Sequence, residues 1–512
     1  MLNRSARAAL SFFNNLLYQL SYASITLVIT PLIVANLGTD IFGAWRIINK
    51  TSEFLILGTF KPLGLLQLTL AKDISNNNFS SKQQQICSAI SILILTLPIM
   101  LILSGLFFYF RHIFIPVSVE ISYQVNLTLL LMLFFTILSS FCNVPNAIVI
   151  GLNMHYKRVG ISSVAVFITA LLQYSIVTQG YTLPWFAVVS WLPIFSIAII
   201  NYIIILKNAP WFKIVIPSIN AVKLFFKNNL WMFLIELTRY VFTMGDIILI
   251  GIYFGTNIVA IYSLTKTLIT FLFMPVHSLV VSTLPGVGDL VGRKELKTLL
   301  QLRAEQIHTA VFLSFIISMI VMFFNSSFVQ LWVSKAHFGG ETLSRWLIIA
   351  GMIDLLVRVE AVYLDAFLKL KAQTSYLGLA SVVYLLAIIF GEPIWGLSAF
   401  PIAQVFSQVI LIILYWIGIR NCLQIKMIDV AKTVLRPLSM TIVLVVSILF
   451  SSFLWKDKFL LSIQNWQELF IQASEISILS AILGWFLILQ KNDRKNIMVR
   501  VANVFEYFHR KY

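Results

Sequence analysis

The sequence predicts an all-α polytopic membrane protein. Hydrophobic residues make up 59% of the chain and charged residues only 11%, whereas a soluble domain runs at about half apolar and about a quarter charged. Apolar runs of about 20 residues recur along the whole length, separated by short polar breaks. A bilayer core offers no partner for free backbone N–H and C=O groups, so runs of this length must be helices.

Taken in order, the runs give about fourteen spans. Their limits fall near 13–36, 43–71, 86–110, 122–150, 160–178, 184–206, 229–253, 257–285, 304–327, 345–368, 375–392, 395–418, 437–455 and 471–489. The first follows Arg4 and Arg7, as in a signal peptide. Its apolar run continues past Pro31 and no small-residue cleavage pattern follows, so an uncleaved span is expected. Residues 286–303 read as one helix of a cytoplasmic break, either solvated or lying amphipathically on the membrane surface. Prolines within spans, among them Pro31, Pro98, Pro145, Pro193 and Pro275, mark sites for bending.

The formal charge of +17 is distributed unevenly. Even-numbered breaks and both tails hold most cations, including Lys72, Lys82, Lys157, Arg158, Lys207, Arg293, Arg303, Lys369, Arg420 and Arg436. Odd-numbered breaks hold few: Arg111, Lys335, Arg345, Lys456 and Lys458. This asymmetry places both termini in the cytoplasm and requires an even number of spans. It also accounts for the basic balance without a nucleic-acid partner. Cys87, Cys142 and Cys422 show no CxxC spacing, and the six histidines form no ligand pattern, so neither a disulfide framework nor a metal site is expected.

Residues 207–228, with four lysines, Pro210 and Pro217, read as a cytoplasmic linker between two six-helix halves, 1–206 and 229–418. Residues 419–512 then supply two extra spans and a basic cytoplasmic tail. Repetition supports two halves: GTDIFGAW at 38–45 is echoed by GTNIVAIY at 255–262. On that register Asn49 aligns with Lys266, one position from Lys50. Six helices per half keep the repeats parallel.

The second span carries Arg46, Lys50, Glu53 and Lys61 within about 80° of helical arc. Charges are costly against lipid, so this edge should face a wet cavity, and its cationic excess suits an anionic substrate. Lys50 is read as a substrate-contacting cation, and Glu53 as its pairing partner or a proton-coupling acid. Arg46 lies near the outer end of the span. Lys61 precedes Pro62 between Gly58 and Gly64, where a broken helix would expose backbone groups. The seventh span adds Glu236, Arg239 and Asp246. Glu236 and Arg239 are three residues apart and suit a pair, whereas Asp246 has no cation nearby on its helix. Lys266 stands alone in the eighth span. In the tenth, Asp354 and Arg358 are spaced to neutralise each other. His155, His277 and His308 lie near span ends and read as interfacial or satisfied. No P-loop, nucleophile elbow or HExxH occurs, so no enzyme activity is expected.

The segments TPLIVANLG at 30–38, DIFGAWRIINKTSEF at 40–54 and GDIILIGIYFGTNIVAIYSLTKTL at 245–268 resemble the starts of the two bundles of polysaccharide-type flippases. These are the Wzx-like O-antigen transporters of the multidrug/oligosaccharidyl-lipid/polysaccharide exporter superfamily. The resemblance implies two six-helix bundles in a V around a cationic central cavity, working by alternating access in the bacterial inner membrane. It implies a polyprenyl-pyrophosphate-linked oligosaccharide as substrate, with membrane lipids and other polysaccharide assembly proteins as partners. It also places Lys50, Lys266 and Arg239 on cavity-lining spans. Na⁺ or H⁺ coupling stays open, with Glu53 and Asp246 as candidate acids. A multidrug exporter of the same fold, a peptidoglycan-precursor flippase and a membrane glycan polymerase or ligase are the alternatives. The exporter would want acids to dominate its cavity. The enzyme would want a large outer loop with arginines and histidine, and the outer breaks here are short.

Overall fold

The computed structural model describes residues 21, 23–72, 78–152, 154–158, 160–367, 369–454, 463–491, 493–496 and 498. Every regular element among them is helical. Arg4, Arg7, Lys456, Lys458 and most of the basic tail lie outside the described residues. The chain divides into two compact units, Met1–Ser263 and Leu264–Tyr512. Eight stretches of described helix are long and apolar enough to cross a bilayer, or up to nine if a bent pair counts as one. This is an all-α, multi-pass membrane protein.

The first unit begins with α1 (Ala23–Leu37), then α2 (Thr39–Leu55), α3 (Pro62–Lys72), α4 (Phe79–Tyr109), α5 (Val119–Cys142), α6 (Val144–Gly151), α7 (Ile161–Thr178), α8 (Leu183–Ser190) and α9 (Leu192–Asn208). The long helix α10 (Ile219–Ser282) follows. A core of buried aliphatics binds α3, α4, α6 and α9: Leu66 and Leu70 meet Ile86, Ile92, Ala147, Ile148 and Ile205, and Phe225 of α10 joins them. Helix extends into the breaks between expected spans. Residues 207–228 enter α10 at Ile219, and the division into units falls between Ser263 and Leu264.

At about 1.5 Å per residue, the 64 residues of α10 far exceed one crossing. Gly255 breaks the helix with φ 82° and ψ 176°, and Gly38 caps α2 with φ 95° and ψ 160°. The two glycines begin the two copies of the repeated motif. A side chain at this positive φ would be strained, so glycine occupies both positions. The copies also pack on each other. Thr256 donates from Oγ1 to Asp40 Oδ1 at 2.8 Å, and a Cβ at Gly43 would overlap the Thr256 carbonyl.

The second unit holds α11 (Leu284–Gly292), α12 (Leu296–Trp332), α13 (Glu341–Ala366), α14 (Leu370–Trp395), α15 (Ala399–Leu423), α16 (Met427–Leu454) and α17 (Trp466–Leu487). α15 packs against both α13 and α14, and α12 packs against α13, α16 and α17. α13 is not an ordinary apolar span, because every 18-residue window in it holds more than two charges.

Three expectations need correction here. Residues 286–303 do not form one helix: α11 ends at Gly292, and the chain enters α12 at Leu296. Arg303, expected in a solvated break, is 1% exposed and ion-paired with Glu360. Lys82, also expected in a break, is buried in α4, 5.6 Å from the Phe79 ring centroid and 5.8 Å from that of Trp211.

Candidate functional site

The charged residues of the second expected span surround a helix break. α2 ends at Leu55, Ile56–Thr59 tightens into a 3-10 turn, and α3 begins at Pro62. The arms on either side are bent by 60°. The cause is local: Pro62 has no N–H to continue the ladder and disfavours right-handed helix at the residue before it. Phe60 and Lys61 instead take positive φ, 59° and 48°. Left-handed backbone costs a non-glycine residue about 1–2 kcal/mol, so the turn needs support.

Local hydrogen bonds supply part of it. Thr59 Oγ1 donates to the Ile56 carbonyl at 2.7 Å and accepts from Lys61 N at 3.1 Å. The rest comes from α10. Asn229 Nδ2 donates to the Phe60 carbonyl, and the Phe60 ring lies 4.3 Å from that of Phe233. Lys61 Nζ donates to Glu236 Oε2 at 2.9 Å and sits 4.7 Å from the Tyr240 ring centroid.

Glu236 serves two cations at once, since Arg239 Nη1 lies 3.6 Å from its other oxygen. One turn before the break, Lys50 Nζ donates to Glu53 Oε2 at 2.9 Å. Arg46, one turn before Lys50 on the same face, has a buried Nε with no hydrogen-bond partner among the described residues. Among the residues named here, four cations, Arg46, Lys50, Lys61 and Arg239, stand against two carboxylates, Glu53 and Glu236. The excess is positive, and a buried guanidinium nitrogen is unfilled. Such an arrangement can take an anion through charge-assisted hydrogen bonds.

Asp246 is used differently. It is 2% exposed; Oδ2 accepts from Tyr262 at 2.9 Å, and Oδ1 accepts from Ile247 N at 2.8 Å. In the second unit, Asp354 gathers a cluster of its own. Oδ2 accepts from Arg358 Nε at 3.0 Å and lies 3.5 Å from His277 Nε2, while Oδ1 accepts from Gln408 at 3.0 Å. Lys266 is half-buried in the same unit.

Sequence reasoning did not single out Asn229, Tyr240 or Gln408. Tyr240 follows Arg239 directly, one helical turn after Glu236, which was a usable signal. Asn229 and Gln408 carried none, because each bonds across more than fifty residues.

No protein-family model matches the chain, and no curated protein sequence matches it. Solved structures do. An inward-facing multidrug resistance MATE family transporter of the MOP superfamily matches with a TM-score of 0.62 at 16% identity, over 79% of this chain and 97% of its own. Lipid II flippase MurJ, in an inward closed conformation, also matches at 0.62, with 15% identity over 92% of this chain and 98% of its own. The MATE multidrug transporter DinF-BH matches at 0.56, with 14% identity over 82% and 96%. The chain has the fold of MOP-superfamily transporters. By their names, these neighbours are transporters and a flippase rather than enzymes.

Proposed function

We propose that this protein is a flippase that moves a polyprenyl-pyrophosphate-linked oligosaccharide, an O-antigen or similar surface-polysaccharide repeat unit, from the cytoplasmic to the outer leaflet of a bacterial inner membrane. The observation that carries the reading is the cationic excess around the α2–α3 break, with the buried, unfilled Nε of Arg46. A pyrophosphate cannot enter hydrocarbon bare, since an unpaired buried ion costs many kcal/mol. Lysine and arginine in a wet chamber replace its hydration, while its lipid tail stays in the bilayer. The reach of the MurJ likeness over 92% of this chain, against 79% for the MATE structure, supports a lipid-linked substrate. Both termini lie in the cytoplasm on this reading, and Lys266 and Arg358 are the candidate substrate-contacting cations of the second unit. Glu53, Glu236, Asp246 and Asp354 are the acids available to a coupling Na⁺ or H⁺.

A second reading, a multidrug exporter, draws on the equal TM-score of the MATE structure and on the half-buried Asp354 cluster. Deletion in the native host separates the two. The flippase loses surface glycan and traps lipid-linked repeat units on the cytoplasmic leaflet. Normal glycan with raised sensitivity to cationic drugs would overturn that reading in favour of the exporter.

A further inference from the structure

A second cationic site lies in the second unit, where α12, α16 and the end of α17 meet. There a cavity of about 290 Å³ is lined by His308, Arg436, Met440, Phe486, Lys491 and Arg494 among others. The adjacent Asp493 is already committed: its Oδ2 lies 2.7 Å from His308 Nδ1 and accepts from Gln490 N at 2.9 Å. The nearby Glu305 accepts from Asn496 Nδ2. Three cations therefore line the cavity with no carboxylate paired to them among the described contacts. Arg494 stacks over Phe486 at 5.5 Å, and its Nε is buried without a hydrogen-bond partner among the described residues.

The surroundings restrict what fits. Met440, Phe486 and Leu487 on the rim are exposed, as are Ile442 and Val443 further along α16 and Ile478, Leu479 and Ile482 along α17. These helices present apolar side chains outward; Lys491 and Arg494 follow the end of α17, and Arg436 lies in the first half of α16. Arginine and lysine at that depth hold phosphate while the stems and aromatic rings cover acyl chain.

We infer that this pocket holds a phosphate ester, with Arg436, Lys491 and Arg494 as its ligands. The source that the rim favours is the headgroup of an anionic phospholipid. The other source of the same chemistry is a soluble phosphate. This inference is independent of the transported substrate.

Native mass spectrometry of the full chain in detergent tests it, with phosphatidylglycerol, phosphatidylethanolamine or inorganic phosphate added. The expected result is retention of phosphatidylglycerol over phosphatidylethanolamine, falling about fivefold for each cation removed in Arg436→Gln/Arg494→Gln. Phosphate binding lost in the same variant, without preference for phosphatidylglycerol, would keep the pocket and assign it to a soluble anion. Equal retention of both ligands by wild type and variant overturns the inference. If the double variant is not monodisperse, Lys491→Gln, whose side chain is exposed, carries the same comparison.

Discussion

Arg303 shows how much one buried pair contributes. Its Nε donates to Glu360 Oε2 at 2.8 Å, and Nη2 reaches the other carboxylate oxygen. Nη1 donates to Thr433 at 2.8 Å, and Trp416 Nε1 donates to Glu360 at 3.0 Å. Four helices, α12, α13, α15 and α16, are joined through two side chains that are each 1% exposed. Removing one partner leaves the other charge buried and unpaired. Arg303→Ala should therefore cost about 3–5 kcal/mol, read as a drop in the thermal midpoint in detergent. Arg303→Met with Glu360→Leu should recover most of that loss, because an apolar pair removes both charges together. A double variant as unstable as the single would show that the stabilisation lies in packing rather than in charge.

The α2–α3 break has two separable contributions at Lys61, backbone strain and the bond to Glu236. Lys61→Ala and Lys61→Gly both lose that bond, but only glycine adopts positive φ freely. The glycine variant should be the more stable of the two by about 1 kcal/mol. Equal midpoints would mean that the left-handed turn carries no strain. The contact between the repeated motifs is a second element-scale test. Gly43→Ala drives a methyl into the Thr256 carbonyl and should cost about 1–3 kcal/mol. Gly105, inside α4, has nothing within 4 Å of an added Cβ. Gly105→Ala should therefore stabilise by about 0.5–1 kcal/mol. Thermal unfolding of both variants checks the pair, and similar shifts would remove the close approach as the cause.

For the whole molecule, one cation in each unit tests the proposed transport. Lys50→Glu and Lys266→Glu should each abolish flipping of a lipid-linked oligosaccharide in proteoliposomes, with normal membrane insertion. Full activity in both would exclude them from the substrate path. An inside-negative potential favours an outgoing anion by about 2.3 kcal/mol per charge per 100 mV. Dissipating the potential should therefore slow net transfer.

The helical, membrane-spanning class was legible residue by residue, because the cost of placing a side chain or a backbone group in hydrocarbon is set locally. The Lys50–Glu53 and Asp354–Arg358 pairs were legible for the same reason: spacings of three and four residues put partners on one helical face. The motif beginning at Gly38 and Gly255 could be aligned by eye, but not the contact of Asp40 with Thr256. Pairings that join distant helices left no local trace. Lys61 meets Glu236 across 175 residues, and Arg303 meets Glu360 across 57. A lone cation near a span end reads the same whether water or a carboxylate awaits it. Folding alone brings such partners together, because burial of each charge becomes tolerable only when its counter-charge arrives from another helix.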